Sequence, residues 1–273
     1  MPNGAVRIIY GTAWKKANTA HLVSMAIQEG FRGIDTACQP KHYDEAGVGA
    51  GVAACLNGAL NRADLYLQTK FTPLSGQDPL KIPYDPKAPL SEQVAQSFAV
   101  SLRNLRTTYL DCLILHSPLA NSKQTLEAWR AMESLVAGGG IRCLGISNCY
   151  QPGELQALFH SAVVKPSVVQ NRFYADTRYD HEIRAFCSRQ RITYQSFWTL
   201  SANPHLLAHA SITGLASKYG RTPAQILFRY LTQSDVVPLT GTSSKSHMRE
   251  DLGIFEFELS AIEREAIHAL LQS

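Results

Sequence analysis

The sequence lacks the segments by which secreted, membrane and nucleic-acid-binding proteins are recognised. No stretch approaches the roughly 20 apolar residues of a membrane span, and residues 1–7 contain no apolar segment of the signal-peptide kind. Lys and Arg (26) outnumber Asp and Glu (22), but they are scattered and form no run typical of a nucleic-acid-binding tract. We therefore expect a cytoplasmic protein with no membrane or nucleic-acid partner.

The sequence also lacks motifs that bind metals, that form redox-active thiol pairs, or that hold dinucleotide phosphates in Rossmann folds. The six cysteines lie apart without a Cys-x-x-Cys pair, and several stand in apolar runs such as residues 111–114. This spacing predicts reduced, mostly buried thiols and no metal site. No Gly-x-Gly-x-x-Gly motif occurs, which excludes a Rossmann phosphate loop. The cysteines are Cys38, Cys55, Cys112, Cys143, Cys149 and Cys187.

The sequence does contain eight short β-rich runs in regular succession, each followed by a helical pattern. This alternation is typical of βα units around a parallel sheet. Over 273 residues without a break in composition, eight units favour an α/β fold of one domain, a (β/α)8 TIM barrel over residues 1–273, rather than an open doubly wound sheet. The predicted strands are Arg7–Tyr10, Arg32–Asp35, Leu65–Lys70, Cys112–His116, Cys143–Ile146, Ser167–Gln170, Ile192–Phe197 and Val236–Leu239.

Capping residues, apolar spacing and prolines predict the positions of two helices and one loop. The apolar spacing of residues 91–106 predicts a helix with Ser91 as its N-cap, and residues 222–232 predict another with Thr222 as its cap. Five prolines within residues 71–90 predict a long extended loop after the third strand. In a barrel, that loop lies on the face where active sites are built.

Polar or ionisable residues end strand after strand, and this regularity is the main functional signal. The carboxyl ends of parallel barrel strands meet at one mouth, so these side chains converge. An Asp and a Lys in one dry barrel end are each costly to bury alone, so we expect Asp35 and Lys70 to pair. The strand-end residues are Asp35, Lys70, His116, Ser147, Asn148, Gln170, Asn171, Thr240, Gly241 and Thr242.

Four segments resemble the successive signature segments of one enzyme family. Residues 30–37, 68–70, 113–117 and 144–148 are similar in order and spacing to those of aldo-keto reductases. The resemblance extends from Gly11 to Ser260, nearly the whole chain. It implies a barrel oxidoreductase that passes hydride between a nicotinamide cofactor and the carbonyl carbon of a small molecule.

The resemblance implies a catalytic tetrad of Asp35, Tyr43, Lys70 and His116. As hydride reaches the carbonyl carbon, negative charge develops on the oxygen, and the phenol of Tyr43 would donate its proton there. The ammonium of Lys70, held by Asp35, is expected to lower the pKa of the tyrosine. His116 would orient the carbonyl or share the proton from the opposite side, so its tautomer matters.

The segment from Asp35 to Glu45 departs from the family's pattern because it is longer than in most relatives. An alignment anchored on Glu45 puts His42 in the place of the catalytic phenol. We prefer Tyr43, because it is the only tyrosine in the segment and an insertion can be absorbed before it. His42 then lines the substrate pocket or substitutes as the acid. The other alternative is that Tyr43 is a surface residue capping the next helix.

The resemblance also implies where the cofactor binds. Ser147, Asn148 and Gln170 resemble the residues that hydrogen-bond the nicotinamide carboxamide. Phe197 occupies the position of an aromatic that stacks on the ring, although an aromatic at a strand end is more commonly a core residue. The other predicted cofactor-binding residues are Thr12, Leu200, Thr240, Gly241, Thr242, Ser243, Lys245, His247, Arg249 and Asp251.

The preference between NADPH and NADH is a narrow one. Relatives specific for NADPH often carry a lysine and an arginine where this chain has Gly241 and His247. Lys245 and Arg249 stand nearby and could clamp a 2′-phosphate instead. The acidic Asp251 would face the adenine. We therefore expect NADPH, with NADH or the use of both left open.

The substrate pocket is expected to be open. The chain ends with its last helix, and the loop at residues 200–205 is short. Trp14, His42 and Trp198 would then contact a bulky or aromatic carbonyl substrate of a monomeric enzyme. Two other functions stay open: a dehydratase or isomerase using the same acid–base residues, and a non-catalytic cofactor-binding module. The first is favoured if Tyr43 is misplaced, and the second has no need of an Asp–Lys pair.

Overall fold

Eight parallel strands, each paired with its neighbours in chain order, close into a barrel in the computed structural model, which describes residues 6–56 and 58–272. The ring closes where the last strand pairs with the first, with Ile9 beside Leu239. The predicted (β/α)8 class and all eight strands are confirmed. The strands are β1 Ile9–Gly11, β2 Gly33–Asp35, β3 Tyr66–Phe71, β4 Leu110–Leu115, β5 Ile141–Ser147, β6 Val168–Arg172, β7 Thr193–Phe197 and β8 Val236–Thr240.

Helices occupy the connections between the strands. The predicted cap at Thr222 is confirmed, since its side chain accepts from the backbone N–H of Gln225. The predicted cap at Ser91 is wrong, because the helix already begins at Leu90, directly after Pro89. The helices are α1 Thr19–Glu29, α2 Glu45–Ala53, α3 Leu90–Leu105, α4 Ser122–Ala137, α5 Pro152–Ser161, α6 His181–Gln190, α7 Pro204–Ala208, α8 Ala210–Tyr219, α9 Pro223–Thr232, α10 Lys245–Leu252 and α11 Ala261–Leu270.

The lower part of the barrel interior is filled by an apolar cluster. Because side chains alternate between the two faces of a strand, β3 points Tyr66, Gln68 and Lys70 towards the axis in succession. The first of these belongs to the cluster, and the other two lie above it towards the mouth. Gly145 leaves room for this packing, since a Cβ there would stand 2.9 Å from the Cβ of Val168. The buried members of the cluster are Ile9, Tyr66, Cys112, Ile114, Val168 and Leu239.

The loop after β3 folds back against the mouth of the barrel. It contains one short 3-10 turn at Leu74–Gly76 and is otherwise irregular until α3, as its prolines predict. The hydroxyl of Tyr84 donates to the carbonyl of Thr72 at 2.7 Å, and Gln77 donates to the same carbonyl at 3.2 Å. These bonds hold the loop beside the end of β4, where His116 follows.

The cysteines agree with the sequence prediction. All six are free thiols, and only Cys143 is partly exposed. In the described part of the chain, no helix combines the length and the apolar character that crossing a membrane requires.

Candidate active site

A buried ion pair lies at the centre of the barrel mouth. The Nζ of Lys70 stands 2.7 Å from both carboxylate oxygens of Asp35 and donates to the carbonyl of Thr36 at 2.9 Å. The lysine is 1% exposed, and these contacts occupy all three of its N–H groups. Burial lowers the pKa of Lys70, while the charge of Asp35 acts in the opposite direction. The pair expected from the sequence is therefore present.

Three glutamines surround this pair. Gln68 and Gln170 both donate to Oδ1 of Asp35, at 2.6 and 2.9 Å, and both also donate to Oε1 of Gln195. Gln195 returns a bond to Gln68 at 2.9 Å. The carboxylate is thus fully hydrogen-bonded, which offsets the cost of burying it. The sequence reasoning missed the roles of Gln68 and Gln195; the available signal was an amide at an inward position of a buried strand.

Tyr43 lies between this pair and His116. Its ring centroid is 5.3 Å from Nζ of Lys70 and 6.1 Å from the ring centroid of His116. The N-cap of α2 is the next residue, Asp44, whose side chain accepts from the backbone N–H of Gly47. Tyr43 therefore does not cap the helix, and its ring faces the mouth instead.

The pKa of Tyr43 departs from the sequence expectation. Burial raises it above the ordinary value, and the negative charge of Asp35 raises it further. Lys70 does not reverse this, since all its donors are directed at Asp35 and Thr36. The expected lowering of the pKa is absent here, so the phenol holds its proton at neutral pH.

His116 is neutral for the same physical reason. Burial, with the nearby charge of Lys70, lowers the pKa of His116 to about 3. Its Nδ1 lies 2.6 Å from the hydroxyl of Thr72. If that hydroxyl donates, Nδ1 is the acceptor and Nε2 carries the proton of the neutral ring.

His42 occupies a different part of the mouth from Tyr43. Its ring packs on Trp14 with centroids 3.8 Å apart, and its backbone carbonyl accepts from the Trp14 N–H at 2.7 Å. Burial lowers the pKa of His42, and the charge of Lys41 contributes. The structure therefore separates the two residues between which the sequence left a choice: Tyr43 adjoins the ion pair, and His42 adjoins the tryptophan.

These side chains line a cavity of about 1030 Å³. Three lining residues with left-handed backbone, Trp14, Asn148 and Trp198, follow directly on strand ends or lie near them, and strain of this kind concentrates at functional sites. Cavity-lining residues that the sequence reasoning did not assign to the site include Lys15, Gln39, Arg172, Thr199, Thr222 and Phe228. Lys15 directly follows Trp14 in the sequence, and it donates to the carbonyl of Gly241.

The predicted nicotinamide residues meet on one wall of the cavity. Ser147 donates to the carbonyl of Gln170 at 2.7 Å, and Asn148 donates to the carbonyl of His116 at 2.8 Å. Phe197 and Leu200 line the same cavity. Within the described residues, Oε1 of Gln170 accepts no hydrogen bond, so an acceptor is left for a ligand amide.

The predicted phosphate and adenine residues are only partly brought together. Thr240, Gly241, Thr242, His247 and Asp251 line the cavity. Ser243, Lys245 and Arg249 are exposed and do not line it; both cations contact the carboxylate of Glu29 instead, at 3.1 and 2.5 Å. Thr12 is fully buried behind the mouth, where its hydroxyl donates to the carbonyl of Asp35 at 2.8 Å.

Asp251 is a buried carboxyl at this end of the cavity. Its Oδ2 accepts from the hydroxyl of Thr240 at 2.7 Å. Burial raises the pKa of Asp251 to about 6, although the bond from Thr240 acts against the rise. Among the residues that the structure describes, no group of three or more His, Cys, Asp or Glu side chains is arranged to hold a metal ion.

Comparison with known proteins gives a consistent result. The sequence model of the aldo/keto reductase family matches residues 4–272. Among curated relatives, a glyoxal reductase of Bacillus subtilis is 31% identical over 249 residues, covering 91% of this chain and 82% of the relative. The uncharacterized oxidoreductase YtbE of the same organism is 30% identical over 250 residues, with the same coverage of both chains.

Solved structures agree on the fold. The D53A variant of Gox0644 in complex with NADPH superposes with a TM-score of 0.80 at 26% identity, covering 97% of this chain and 89% of that one. The aldo-keto reductase of Bombyx mori in complex with NADP superposes with a TM-score of 0.81 at 24% identity, covering 98% and 89%. The match over nearly the full length, on a barrel of the same architecture, means that this chain is an oxidoreductase that belongs to the aldo/keto reductase family.

Proposed function

We propose that this chain is an NAD(P)H-dependent carbonyl reductase in which Tyr43 is the general acid. One observation carries the proposal: the phenol ring lies between the buried Lys70–Asp35 pair and a neutral His116, at the wall of one large cavity. An acid, a fixed positive charge and a second donor are the groups that carbonyl reduction needs around the oxygen. The relatives include a reductase of a small dicarbonyl, glyoxal, which agrees with this class of substrate.

The residues of the cavity fit a nicotinamide dinucleotide. The unpaired Oε1 of Gln170, together with Ser147 and Asn148, suits a carboxamide, and Phe197 offers an aromatic face. Lys15 and the hydroxyl of Thr242 would hold the phosphates. When bound, the reduced cofactor supplies the hydride; the protein supplies orientation and the proton.

The proton comes from Tyr43. Burial keeps the phenol protonated until negative charge appears on a carbonyl oxygen within hydrogen-bond reach. Lys70 acts through its charge rather than through a bond to the phenol, because its three donors are occupied. His116 stabilises the same oxygen from Nε2, which carries a proton if the Thr72 hydroxyl donates to Nδ1.

The positions of two cations weaken the preference for NADPH over NADH. Glu29 neutralises Lys245 and Arg249, so neither is free to clamp a 2′-phosphate in this arrangement. NADPH stays the proposed cofactor, and the missing clamp argues that NADH is also accepted.

Neither alternative function agrees as well with the geometry. A dehydratase or isomerase is favoured if Tyr43 lies away from the ion pair, whereas the ring of Tyr43 adjoins that pair. A cofactor-binding module has no use for a buried Lys–Asp pair beside a phenol, since burying such a pair is costly.

The test is the oxidation of NADPH with 4-nitrobenzaldehyde, followed at the absorbance of the cofactor. Tyr43→Phe should lower kcat by a factor of about 100 to 10,000, because the acid is lost. The dissociation constant of NADPH, measured from quenching of tryptophan fluorescence, should stay within about twofold. The matched variant His42→Ala should change mainly KM, since His42 packs on Trp14. Loss of kcat in His42→Ala with activity kept in Tyr43→Phe would assign the acid to the histidine.

A further inference from the structure

One arginine in the cavity wall has no part in the proposed chemistry. Arg172 ends β6, two residues after Gln170, and therefore continues the row of side chains that face the barrel interior. It lines the same cavity as Tyr43 and His116. A reductase of uncharged carbonyl compounds does not need a charged side chain at this position.

Aromatic rings hold the guanidinium of Arg172 in place. Its Cζ lies 4.1 Å from the ring centroid of Trp198 and 5.1 Å from that of Tyr174. The backbone is fixed as well, because the N–H of Arg172 donates to the hydroxyl of Tyr150 at 3.2 Å. That hydroxyl donates in turn to Oδ1 of Asn148, a residue of the proposed nicotinamide wall. The arginine is thus preorganised beside the proposed reaction centre.

The charge of Arg172 is not neutralised by the protein. Across residues 6–56 and 58–272, no carboxylate forms an ion pair with it, and its buried Nε has no hydrogen-bond partner. The two buried carboxylates of the cavity have other partners, since Asp35 binds Lys70 and Asp251 accepts from Thr240. A cation that is partly removed from water and left unpaired is costly, unless a ligand brings the opposite charge.

We propose that Arg172 selects carbonyl substrates that also carry a carboxylate group. This inference rests on the proposed reductase function and names the substrate class of the same site. The guanidinium is planar and always charged, so it can bind a carboxylate through two parallel hydrogen bonds. The carboxylate would lie against Arg172 and Trp198, and the aldehyde or ketone carbon would point towards Tyr43 and His116.

The experiment uses matched pairs of substrates that differ in one charge. The 3- and 4-carboxybenzaldehydes are compared with their methyl esters, which keep an electron-withdrawing group on the ring but lose the charge. The wild-type chain should have a kcat/KM at least about tenfold higher for one of the acids than for its ester. Arg172→Met, which keeps the length of the stem, should remove that advantage mainly through KM and leave the ester within about threefold. Arg172→Lys should retain part of the advantage.

Two controls keep a structural role and a phosphate-binding role apart from substrate selection. Thermal unfolding of Arg172→Met should match the wild type within a few degrees, and the dissociation constant of NADPH should be unchanged. Equal losses for acid and ester would overturn the proposal. So would weaker NADPH binding with an unchanged ratio of acid to ester, since the anion would then be a cofactor phosphate.

The inference can also be tested without turnover. Calorimetry with 4-(hydroxymethyl)benzoate, in the presence of oxidised cofactor, should detect binding to the wild type and at least about tenfold weaker binding to Arg172→Met. If no aldehyde is reduced but this difference is found, the reductase function fails and the anion site stands. Equal binding of this anion by both proteins would overturn the anion site.

Discussion

The two ends of the barrel interior are built from the same eight strands but hold opposite kinds of side chain. At the lower end, Ile9, Ile114 and Val168 pack with Tyr66 and Cys112. None of the described members of this cluster carries a charge. At the mouth, the same strands continue into Lys70 and Gln170. Along β3 the change takes only four residues, from Tyr66 to Lys70.

This difference separates stability from chemistry within one fold. The lower end lowers the free energy of the folded state through burial of apolar surface and dense packing. The mouth instead contains features that raise the free energy of the folded state. They are a buried ion pair, a desolvated histidine, a carboxyl group with a raised pKa and residues with left-handed backbone. Substitutions at the lower end should therefore change stability and leave catalysis alone, whereas replacing both charges of the ion pair at the mouth should abolish catalysis and largely preserve stability.

The largest effect is expected for the ion pair. Lys70→Met leaves Asp35 as a buried charge without its cation and should lower the free energy of unfolding by about 3–5 kcal/mol. The double variant Asp35→Asn with Lys70→Met removes both charges and should recover most of that loss. Both should lose at least about 99% of kcat/KM. Urea unfolding and NADPH oxidation measure the two effects, and a double variant that stayed as unstable as Lys70→Met would contradict the assignment.

The second-largest effect is a loss of stability from a substitution at the lower end of the barrel interior. Ile9 is fully buried in the apolar cluster at the start of β1, so Ile9→Ala removes packed methylene groups and should lower the free energy of unfolding by about 2–5 kcal/mol. At a temperature where the variant is folded, kcat and KM should remain within about twofold of the wild type. A large loss of kcat in this variant would mean that the two ends are coupled, and the proposed division would not hold.

The smallest effect is a stabilisation at the mouth. Asp251 has a raised pKa of about 6, so the folded state binds its proton more tightly than the unfolded chain does. Its contribution to stability is therefore greatest below the ordinary pKa near 4 and is lost as pH rises through 6. Asp251→Asn, which keeps an acceptor for Thr240, should raise the free energy of unfolding at pH 8 by about 1–2 kcal/mol.

The pH dependence provides the control for this variant. At pH 3.5 the wild-type carboxyl is protonated in the folded state and mostly protonated in the unfolded state, so the two proteins should unfold at nearly the same urea concentration. The same stabilisation at pH 3.5 as at pH 8 would mean that packing, rather than the buried charge, separates them.

Much of the fold could be predicted because its signals are local. Each strand is a short apolar run ended by polar residues, and the cap at Thr222 lies three residues from its partner Gln225. The error at Ser91 arose from the same local reasoning, because Pro89 already fixes a backbone from which the helix begins. The Asp35–Lys70 pair could be expected because both residues end strands of one sheet.

The remaining features of the site depend on contacts between distant segments. Asp35 and Gln170 are 135 positions apart, and Glu29 reaches Arg249 across 220 positions. The pKa of Tyr43 was expected to fall and instead rises, because burial and the direction of the Lys70 N–H groups cannot be read from residue types. The charge of Arg172 likewise stays without an ion pair in the described part of the chain because no distant segment brings a carboxylate beside it.

The sequence by itself determined the eight βα units, the barrel class and the set of polar residues at one mouth, since strand period and strand ends are properties of neighbouring residues. Only the tertiary structure decided that Tyr43 rather than His42 adjoins the ion pair, that Glu29 holds Lys245 and Arg249, and that Arg172 packs on Trp198 with no carboxylate partner among the described residues. Distance and desolvation set these outcomes, and both arise only when strands and loops far apart in the chain are brought together.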